Sequence, residues 1–291
     1  MKIMNLESYL KERNATGTVK RYLREIELFS FSVEQEKVNP EQASYSDIMN
    51  YLGKQRAKYN NIAPSLHAIK KYYSYLVFVG KRRDNPAKSI RLRDKRSRDI
   101  QLQDLFKAEE LELLLNRKER YLLLKNRNKI IISLLIYQGL TNGDIVNLEL
   151  KNINLEAGTV YIKSTIKTNS RSLKLQSKQV FWLMNYLTKD RSKLLKIESN
   201  NLIISSRGTA ETGEGICYII ERLKHLFPER KLHAKTIRQS VITNLLKQGK
   251  DLRLVQAFAG HKYPSATEKY KQTQVEELKN QILKYHPLNK F

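Results

Sequence analysis

Apolar residues recur at intervals of three and four through the first 90 positions, which is the period of an amphipathic helix. This pattern predicts four helices, the first of them short, around Leu6 to Leu10, Thr18 to Phe29, Tyr45 to Leu52 and Ser65 to Phe78. Thr18 is of a residue type that often caps a helix, so we expect it as the N-cap of the second one. Residues 1–90 are therefore predicted to form an all-α domain.

The fourth predicted helix has an apolar face that is expected to be buried and a basic face that could contact a nucleic acid. Its buried stripe is predicted to consist of Leu66, Ile69, Tyr73, Leu76 and Val77. On or near the outer face the spacing places Lys70, Lys71 and Tyr72. Basic residues with interleaved tyrosines can contact phosphates and bases. A solvated helix face is the competing interpretation, and for any single lysine it is the favoured one.

An almost purely charged segment separates the first 90 residues from the rest. Pro86 stops the fourth helix, and the run from Arg91 to Asp99 cannot bury much surface. Residues 91–101 are therefore predicted to be a basic interdomain linker. Arg96 in this linker is a candidate contact with the backbone of a nucleic acid, and a solvated tether is an equal alternative.

Residues 102–291 combine further helices with a β-hairpin. Helices are predicted at 107–115 and 127–137, the second apolar on more than one face and hence buried, and a short one at 142–148. Strands at 159–163 and 171–175 flank a polar loop at 164–170, and a short piece at 202–205 can add to them. The predicted fold class is mainly α with a small antiparallel β-sheet, an α+β domain beside an all-α one.

The charge of the chain points to a polyanion as partner. Its 291 residues include 54 Lys and Arg against 29 Asp and Glu, a formal net charge of +25. Nucleic acid is the usual partner of such an excess, and purely nonspecific binding by a basic protein is the alternative. An anionic membrane surface would require a lipidation motif or an exposed amphipathic helix, and neither stands out.

Cysteine and histidine usage indicates the compartment and argues against cofactors. The one cysteine, Cys217, rules out an internal disulfide and fits a reducing compartment, so we expect a cytoplasmic protein. Its apolar neighbours predict a buried side chain. No apolar run approaches the length of a membrane span. Zinc-ligand spacing and a glycine-rich nucleotide loop are both missing, so no metal and no cofactor are expected.

A cation pair, a glycine-histidine and a tyrosine follow one another between residues 235 and 270. Lys235 and Arg238 lie in a predicted helix whose apolar residues face a core, so Arg238 stands at the edge of a buried segment. His261 follows Gly260 at a helix C-terminus, where glycine permits a tight turn. Tyr270 lies on the next helix. The cations can hold a phosphate and the tyrosine can attack it.

This arrangement resembles the C-terminal signature of the tyrosine recombinases, the phage-integrase and Xer-type enzymes. The nine-residue step from His261 to Tyr270 matches that family, and the helix at 65–78 followed by Asn85-Pro86-Ala87 is similar to its core-binding domain. The resemblance covers nearly the whole chain. It implies a DNA-binding domain at 1–90, a linker at 91–101, a catalytic domain at 102–291, and two lobes that close round duplex DNA.

The resemblance also implies partners and roles. Double-stranded DNA is the substrate, on which the family assembles from dimer to tetramer, with accessory proteins left open. Tyr270 would form a 3′-phosphotyrosine link, Arg238 and His261 would bind the phosphate, and Lys235 stands where the family usually has histidine. Lys167 matches the lysine that protonates the leaving 5′-oxygen, although Lys163 is close. The predicted helix from Val275 to Leu283 would dock on a neighbouring subunit or, equally, on its own domain.

Thr141 departs from the family pattern. The segment from Gly139 to Leu148 matches the one in which the third residue is normally the first phosphate-binding arginine, and Asp144 occupies the usual acidic position. Losing one such donor typically costs on the order of 3 kcal/mol, and losing a full cation can cost more. Arg127 precedes this segment by a long helix and is not expected to substitute.

Two hypotheses therefore stay open. In the first, the protein is an active or slow strand-transfer recombinase in which Lys235 or another residue covers the lost charge. In the second, it is a DNA-binding relative that has lost cleavage and retains site recognition. The joint presence of Tyr270, His261, Arg238 and a candidate lysine favours the first. A large gain in cleavage from Thr141→Arg would show that the missing cation limits the reaction.

Overall fold

The chain forms two compact units that divide between Ser97 and Arg98. The computed structural model describes residues 4–14, 16–92, 100–165 and 168–270. Three sequence-based predictions lie outside these residues: the contact by Arg96, the position of Lys167, and the helix from Val275 to Leu283. The division falls inside the basic segment 91–101, and each unit has its own hydrophobic core.

The described part of the first unit is built from helices. They are α1 (Leu6–Arg13), α2 (Thr16–Gln35), α3 (Tyr45–Lys58) and α4 (Ala63–Phe78). Their starts carry local signals: Asn5 caps α1, and α3 begins with a capping box in which Ser44 and Asp47 satisfy each other's backbone N–H groups. Pro64 occupies the first turn of α4, where its missing N–H is no loss.

An aromatic cluster forms the centre of this first core. Phe29 is fully buried, and its ring centroid lies 5.2 Å from that of Tyr51 and 6.2 Å from that of Tyr73, both in edge-to-face geometry. The Tyr73 hydroxyl donates to the carbonyl oxygen of Pro40 at 2.8 Å. The cluster therefore joins α2, α3 and α4 and ties α4 to the loop before α3.

Three predictions for these helices are wrong in detail. Helix α2 begins at Thr16, so Thr18 is not its N-cap. Tyr72 is 8% exposed and packs inside, whereas Val77 is 38% exposed. The buried face of α4 includes two small residues, Ser65 and Ala68, which the apolar pattern did not count. Counting them turns the buried face toward Tyr72 and away from Val77.

The described part of the second unit consists of helices and a small sheet. Its helices are α5 (Ala108–Leu113), α6 (Lys125–Tyr137), α7 (Asn142–Val146), α8 (Ser177–Asn185), α9 (Arg191–Leu194), α10 (Gly213–Glu221), α11 (Ala234–Lys247) and α12 (Leu252–Ala259). Short 3₁₀ turns occur at Leu102–Asp104, Leu114–Asn116, Leu122–Leu124, Leu150–Asn152 and Lys224–Leu226, and a π-helical turn at Tyr186–Asp190. Residues 265–270 are again helical.

The sheet of the described residues is antiparallel, with the order β1 (Ile153–Asn154), β2 (Thr159–Ile162) and β3 (Arg171–Lys174). Val160 pairs with both Ile153 and Leu173, and Ile162 pairs with Arg171. The predicted hairpin and the fold class, mainly α with a small antiparallel sheet, are confirmed. Strand β1 is an addition to the prediction, since two residues carry too little pattern to be recognised.

Helix α6 is central to the second core, as its apolar run predicts. Ile130, Ile131, Leu134 and Leu135 are each at most 1% exposed. At the end of α6, the side chain of Gln138 donates to the carbonyl oxygen of Lys174 at 2.8 Å. This hydrogen bond fixes the end of β3 beside the end of α6, where the candidate site begins.

Three further details differ from the pattern. The helix predicted at 107–115 ends at Leu113 and continues as a 3₁₀ turn. The piece at 202–205 forms only an isolated bridge between Ile204 and Ala210. Cys217 is exposed, because the buried face of α10 consists of Ile216, Ile219 and Ile220. Within the described ranges, no helix is long and apolar enough to cross a membrane.

We predict that the aromatic cluster carries much of the stability of the first unit. Phe29→Ala should lower the free energy of unfolding by about 3–5 kcal/mol, because it leaves a cavity among Tyr51 and Tyr73. Phe31→Ala is the matched control on the same helix, since Phe31 is 64% exposed, and should change that free energy by less than about 0.5 kcal/mol. Urea unfolding would measure both, and equal effects would contradict the prediction.

Candidate active site

Arg238 lies on the first half of α11 and joins the ends of two other helices. Its Nη1 donates to the carbonyl oxygen of Gly139, just after α6, and its Nη2 to that of Ala259, the last residue of α12, each at 2.6 Å. The C-terminal end of a helix carries partial negative charge, so a guanidinium is stabilised there. Arg238 is only 8% exposed, which makes it a rigid part of the site.

His261 is positioned by the turn that ends α12. Gly260 adopts a left-handed conformation with φ of 70°, which glycine accepts without steric cost. The His261 backbone N–H donates to Gln256 at 3.1 Å, and ring atom Nδ1 is 2.9 Å from Oγ1 of Thr267. Nε2 is therefore the ring nitrogen that is available to a phosphate.

Tyr270 lies against His261 at the edge of a small apolar cluster. The two rings are stacked, with centroids 6.3 Å apart and an interplanar angle of 15°. Tyr270 is 8% exposed and packs with Ile242, Val255 and Ala259. Burial raises the pKa of the Tyr270 phenol, and the nearby Arg238 lowers it in part. A reaction of this hydroxyl as a nucleophile therefore requires a group that takes its proton.

The electrostatics of the site keep His261 neutral. Burial is the largest cause, and the positive charges of Arg238 and Arg171 add to it, so that the pKa of His261 is lowered to about 4. The pKa of the Arg238 guanidinium is lowered by burial and by Arg171, and Asp144 and Tyr270 act in the opposite direction. The imidazole is therefore neutral at pH 7 in the DNA-free chain, with a lone pair on one ring nitrogen.

The loop of the β-hairpin is attached to the turn that carries His261. Asn169 donates its backbone N–H to the carbonyl oxygen of Gly260 at 2.8 Å, and Thr168 forms an antiparallel bridge with His261. Lys167, the neighbour of Thr168 along the chain, is outside the described residues. The alternative, Lys163, forms an ion pair with Glu149, a carboxylate that also pairs with Lys151. These lysines lower the pKa of Glu149 to about 2.

Thr141 serves as the N-cap of α7. Its Oγ1 accepts the backbone N–H of Asp144 at 3.1 Å, and a carboxylate oxygen of Asp144 accepts the N–H of Thr141 at 3.0 Å. This reciprocal capping box explains the short helix that follows Gly139. It uses the Thr141 oxygen as an acceptor and leaves the O–H as a neutral donor, so the position supplies at most one hydrogen bond and no charge.

Arg171 belongs to this site and was missed from the sequence. Its Nη2 is 3.2 Å from Oδ2 of Asp144, and both side chains are 4% exposed. A methyl group added at Gly260 would lie 2.5 Å from Nη1 of Arg171, so the guanidinium lies directly against that turn. The signal was present: Arg171 alternates with Leu173 on the buried face of β3. A charged residue at a buried position of a strand requires a reason.

The remaining predicted residues lie on two helices, one on α11 and three on α4. Lys235 is exposed on α11, one helical turn before Arg238 and hence on the same side of the helix. Lys70 donates to the carbonyl oxygens of Lys88 at 3.2 Å and Ile90 at 2.6 Å. Lys71 is half-buried. Tyr72 is not available for stacking on a base, because it is packed in the core.

Comparison with known proteins shows the family of this chain. The sequence model of the phage integrase family matches residues 104–277. The tyrosine recombinase XerC of Staphylococcus aureus (strain MSSA476) is 26% identical over 284 residues, which cover 95% of this chain and 93% of that protein. XerC of Oceanobacillus iheyensis is 25% identical over 285 residues, 95% of this chain and 92% of the relative.

Two solved structures share the fold. One is the XerH site-specific recombinase bound to a palindromic difH substrate in a post-cleavage complex, with a TM-score of 0.65, 19% identity and coverage of 91% of this chain and 79% of that one. The other is a lambda integrase dimer bound to a core site, with a TM-score of 0.63, 14% identity and coverage of 91% and 92%. The chain belongs to the phage integrase family, as a tyrosine recombinase of the Xer-like type.

We predict that the His261 ring titrates with a midpoint of about 4 in the DNA-free protein. The ordinary value in an unfolded chain is about 6.5. The folded state then binds fewer protons between these two pH values, so stability should fall as the pH is lowered through this window. An NMR titration of the histidine rings, with the signal assigned by its loss in His261→Gln, would measure the midpoint. A midpoint near 6.5 would contradict the prediction.

Proposed function

We propose that the protein is a site-specific DNA recombinase that cuts and rejoins DNA strands through a 3′-phosphotyrosine intermediate. The observation that carries this proposal is the stacking of Tyr270 on His261 beside the buried Arg238. A nucleophile, a neutral base and a fixed cation lie together, in a chain of the phage integrase family.

The cleavage step needs a nucleophile and a place for its proton. The Tyr270 oxygen attacks the scissile phosphorus, the bond from phosphorus to the 5′-oxygen breaks, and the 3′-phosphate becomes linked to the tyrosine. The phenol proton moves to a base, and Nε2 of His261 is the proposed acceptor. The ring is neutral in the DNA-free chain, and the negative charge of a bound phosphate would raise its pKa toward the range of an effective base. The phosphotyrosine conserves the energy of the phosphodiester, so the reverse attack by a 5′-hydroxyl rejoins the strand.

Charge on the phosphate is balanced by side chains. Arg238 is held at both Nη atoms by carbonyl groups, so its remaining N–H groups are preorganised toward a nonbridging oxygen. Lys235, on the same side of α11, adds a second cation in the family's histidine position. For the leaving 5′-oxygen, Lys167 is the proposed proton donor. Lys163 would first have to leave its ion pair with Glu149.

The proposed substrate is duplex DNA held by both units. We assign residues 1–90 to a core-binding domain, 91–101 to a basic linker with Arg96 near the backbone, and 102–291 to the catalytic domain. The XerH structure is a complex with its difH substrate, and the lambda integrase structure is a dimer on DNA. These relatives support DNA as partner and a homo-oligomer, from dimer to tetramer, as the active assembly.

A DNA-binding relative without cleavage is the second candidate. The observation that favours it is Thr141, whose hydroxyl caps α7 where the family has a phosphate-binding arginine. Such a protein would bind its site and form no covalent link. The two candidates differ in one measurable product, the protein–DNA adduct.

We predict that the wild-type protein forms a covalent adduct with nicked DNA and that Tyr270→Phe does not, because the phenyl ring retains the packing and lacks the nucleophile. A library of nicked duplexes with randomised arms, captured as denaturation-resistant protein–DNA complexes, would reveal both the adduct and the preferred site. Tyr263→Phe is the matched control on an exposed tyrosine and should keep the adduct. A wild type without adduct that still binds a specific site would establish the second candidate.

We predict different effects for two adjacent lysines of α4. Lys71→Ala should weaken binding to all duplexes alike and reduce the slope of log affinity against log salt by about 1, as expected for one phosphate contact. Lys70→Ala should instead lower the free energy of unfolding by about 1–3 kcal/mol, since its ammonium bonds two carbonyl groups. Salt-dependent DNA binding and urea unfolding measure the two effects, and a reversed assignment would contradict this division of roles.

A further inference from the structure

We propose that Arg171 binds the scissile phosphate and supplies the positive charge that Thr141 lacks. This inference rests on the proposed function and adds a phosphate-binding residue to it. The phosphate-binding arginine would then lie on β3 and not at the start of α7, where the family has its first arginine. The evidence is the burial of Arg171, its unmet donors, its neighbours and the charge balance of the site.

The first observation is a buried guanidinium with unused donors. Arg171 is 7% exposed, and only its Nη2 is paired, with Asp144. Its Nε and Nη1 have no hydrogen-bond partner among the residues that the structure describes. Leaving buried donors of a charged group unsatisfied is unfavourable, so such groups usually have a partner or bind a ligand. An anion with several acceptor oxygens would satisfy both atoms.

The second observation is where these donors lie. One oxygen of Asp144 accepts both the N–H of Thr141 and the Nη2 of Arg171, so a single carboxylate links the two positions. On its other side Arg171 contacts Gly260, directly before His261. The guanidinium is thus placed between the start of α7 and the turn of the histidine. An arginine on β3 can therefore act on the same phosphate as His261.

The third observation is the charge balance. Asp144 pairs with the buried Arg171 and also acts electrostatically on the buried Arg238. His261, which both arginines influence, is neutral at pH 7. One positive charge is left over, and the two arginines repel each other. A phosphodiester carries one negative charge. Its arrival would neutralise the cluster and remove the repulsion, which is the property of a preorganised phosphate site.

A second buried arginine, Arg127, has a different environment from Arg171. Arg127 pairs with Glu211 at 2.5 Å, with both side chains 5% exposed. Its Nε is also without a partner in the described part of the chain. The charged groups that act on it include Glu211 and Glu119, which stabilise its cationic form. Arg127 is therefore a structural ion pair and a matched control for Arg171.

The first test measures anion binding without any cleavage. Inorganic phosphate, exchanged for chloride at constant ionic strength, should raise the melting temperature of the full-length wild type and of Arg127→Gln. Arg171→Gln should lose most of this rise. Because Arg171→Gln leaves Asp144 buried and charged, the double variant Asp144→Asn/Arg171→Gln provides a second folded background with the same expected loss. An unchanged rise in both variants would overturn the proposal.

The second test measures cleavage on the nicked duplex. Arg171→Gln should form the adduct about 10²-fold more slowly than the wild type, and Arg127→Gln should stay within a few fold. On a duplex with a methylphosphonate at the scissile position, which lacks the nonbridging charge, the deficit of Arg171→Gln should shrink to a few fold. A purely structural arginine would give the same deficit on both substrates, and that result would overturn the proposal.

A third test asks whether an arginine at position 141 can replace the charge of Arg171. Thr141→Arg should restore most of the adduct rate in the Arg171→Gln background and change the wild-type rate little, since the cation is then already present. A large gain in the wild type with no rescue of Arg171→Gln would contradict the proposal. If the wild type forms no adduct at all, the proposed function fails, and the phosphate measurement still decides whether Arg171 forms an anion site.

Discussion

The site depends on one interaction, the double hydrogen bond from Arg238 to the carbonyl groups of Gly139 and Ala259. These carbonyls stand at the C-terminal ends of α6 and α12, so a single guanidinium on α11 holds three helices at fixed distances. Thr141 lies two positions after Gly139, and Gly260 and His261 directly follow Ala259. The arginine that we propose to bind phosphate therefore also fixes the helix ends next to Thr141 and His261. Its loss would disturb geometry and charge together, which makes it a poor probe of either alone.

The hairpin completes this arrangement from the opposite direction. Backbone contacts join Asn169 to Gly260 and Thr168 to His261, and the Gln138 side chain fixes the end of β3 to the end of α6. The loop of the hairpin is therefore attached to the end of α12, and the end of β3 is attached to the end of α6. These are the two helix ends that Arg238 connects. Arg171, at the start of β3, therefore lies near both helix ends, although it is far in sequence from the other residues of the site. A conformational change of the hairpin would therefore move the surroundings of His261 as well.

Periodicity and local motifs predicted much of this molecule, and their failures have physical causes. The helical spacing of apolar residues located the main helices, and the alternation in 159–175 located the hairpin. The order Arg238, His261 and Tyr270 predicted a phosphate site, and the structure brings these three side chains together because they lie on neighbouring elements. Tyr72 was placed on the wrong face because small residues, Ser65 and Ala68, complete the buried stripe of α4. Arg171 was missed because its place in the site depends on a contact with Asp144, 27 positions earlier in the chain. A single sequence does not reveal such a tertiary contact.

The burial of Tyr270 has a consequence for the control of the reaction. In the DNA-free chain the phenol is almost completely covered, its pKa is raised, and its neighbour His261 is neutral. A nucleophile in this state is a poor reagent for any phosphate that the protein meets by chance, including the many that a chain of charge +25 attracts. Discrimination between DNA sites can therefore depend on how readily Tyr270 is uncovered, as well as on recognition of the base sequence. On the proposed mechanism, DNA that binds without uncovering Tyr270 would be released intact, and only a complex that exposes the phenol would proceed to strand cleavage.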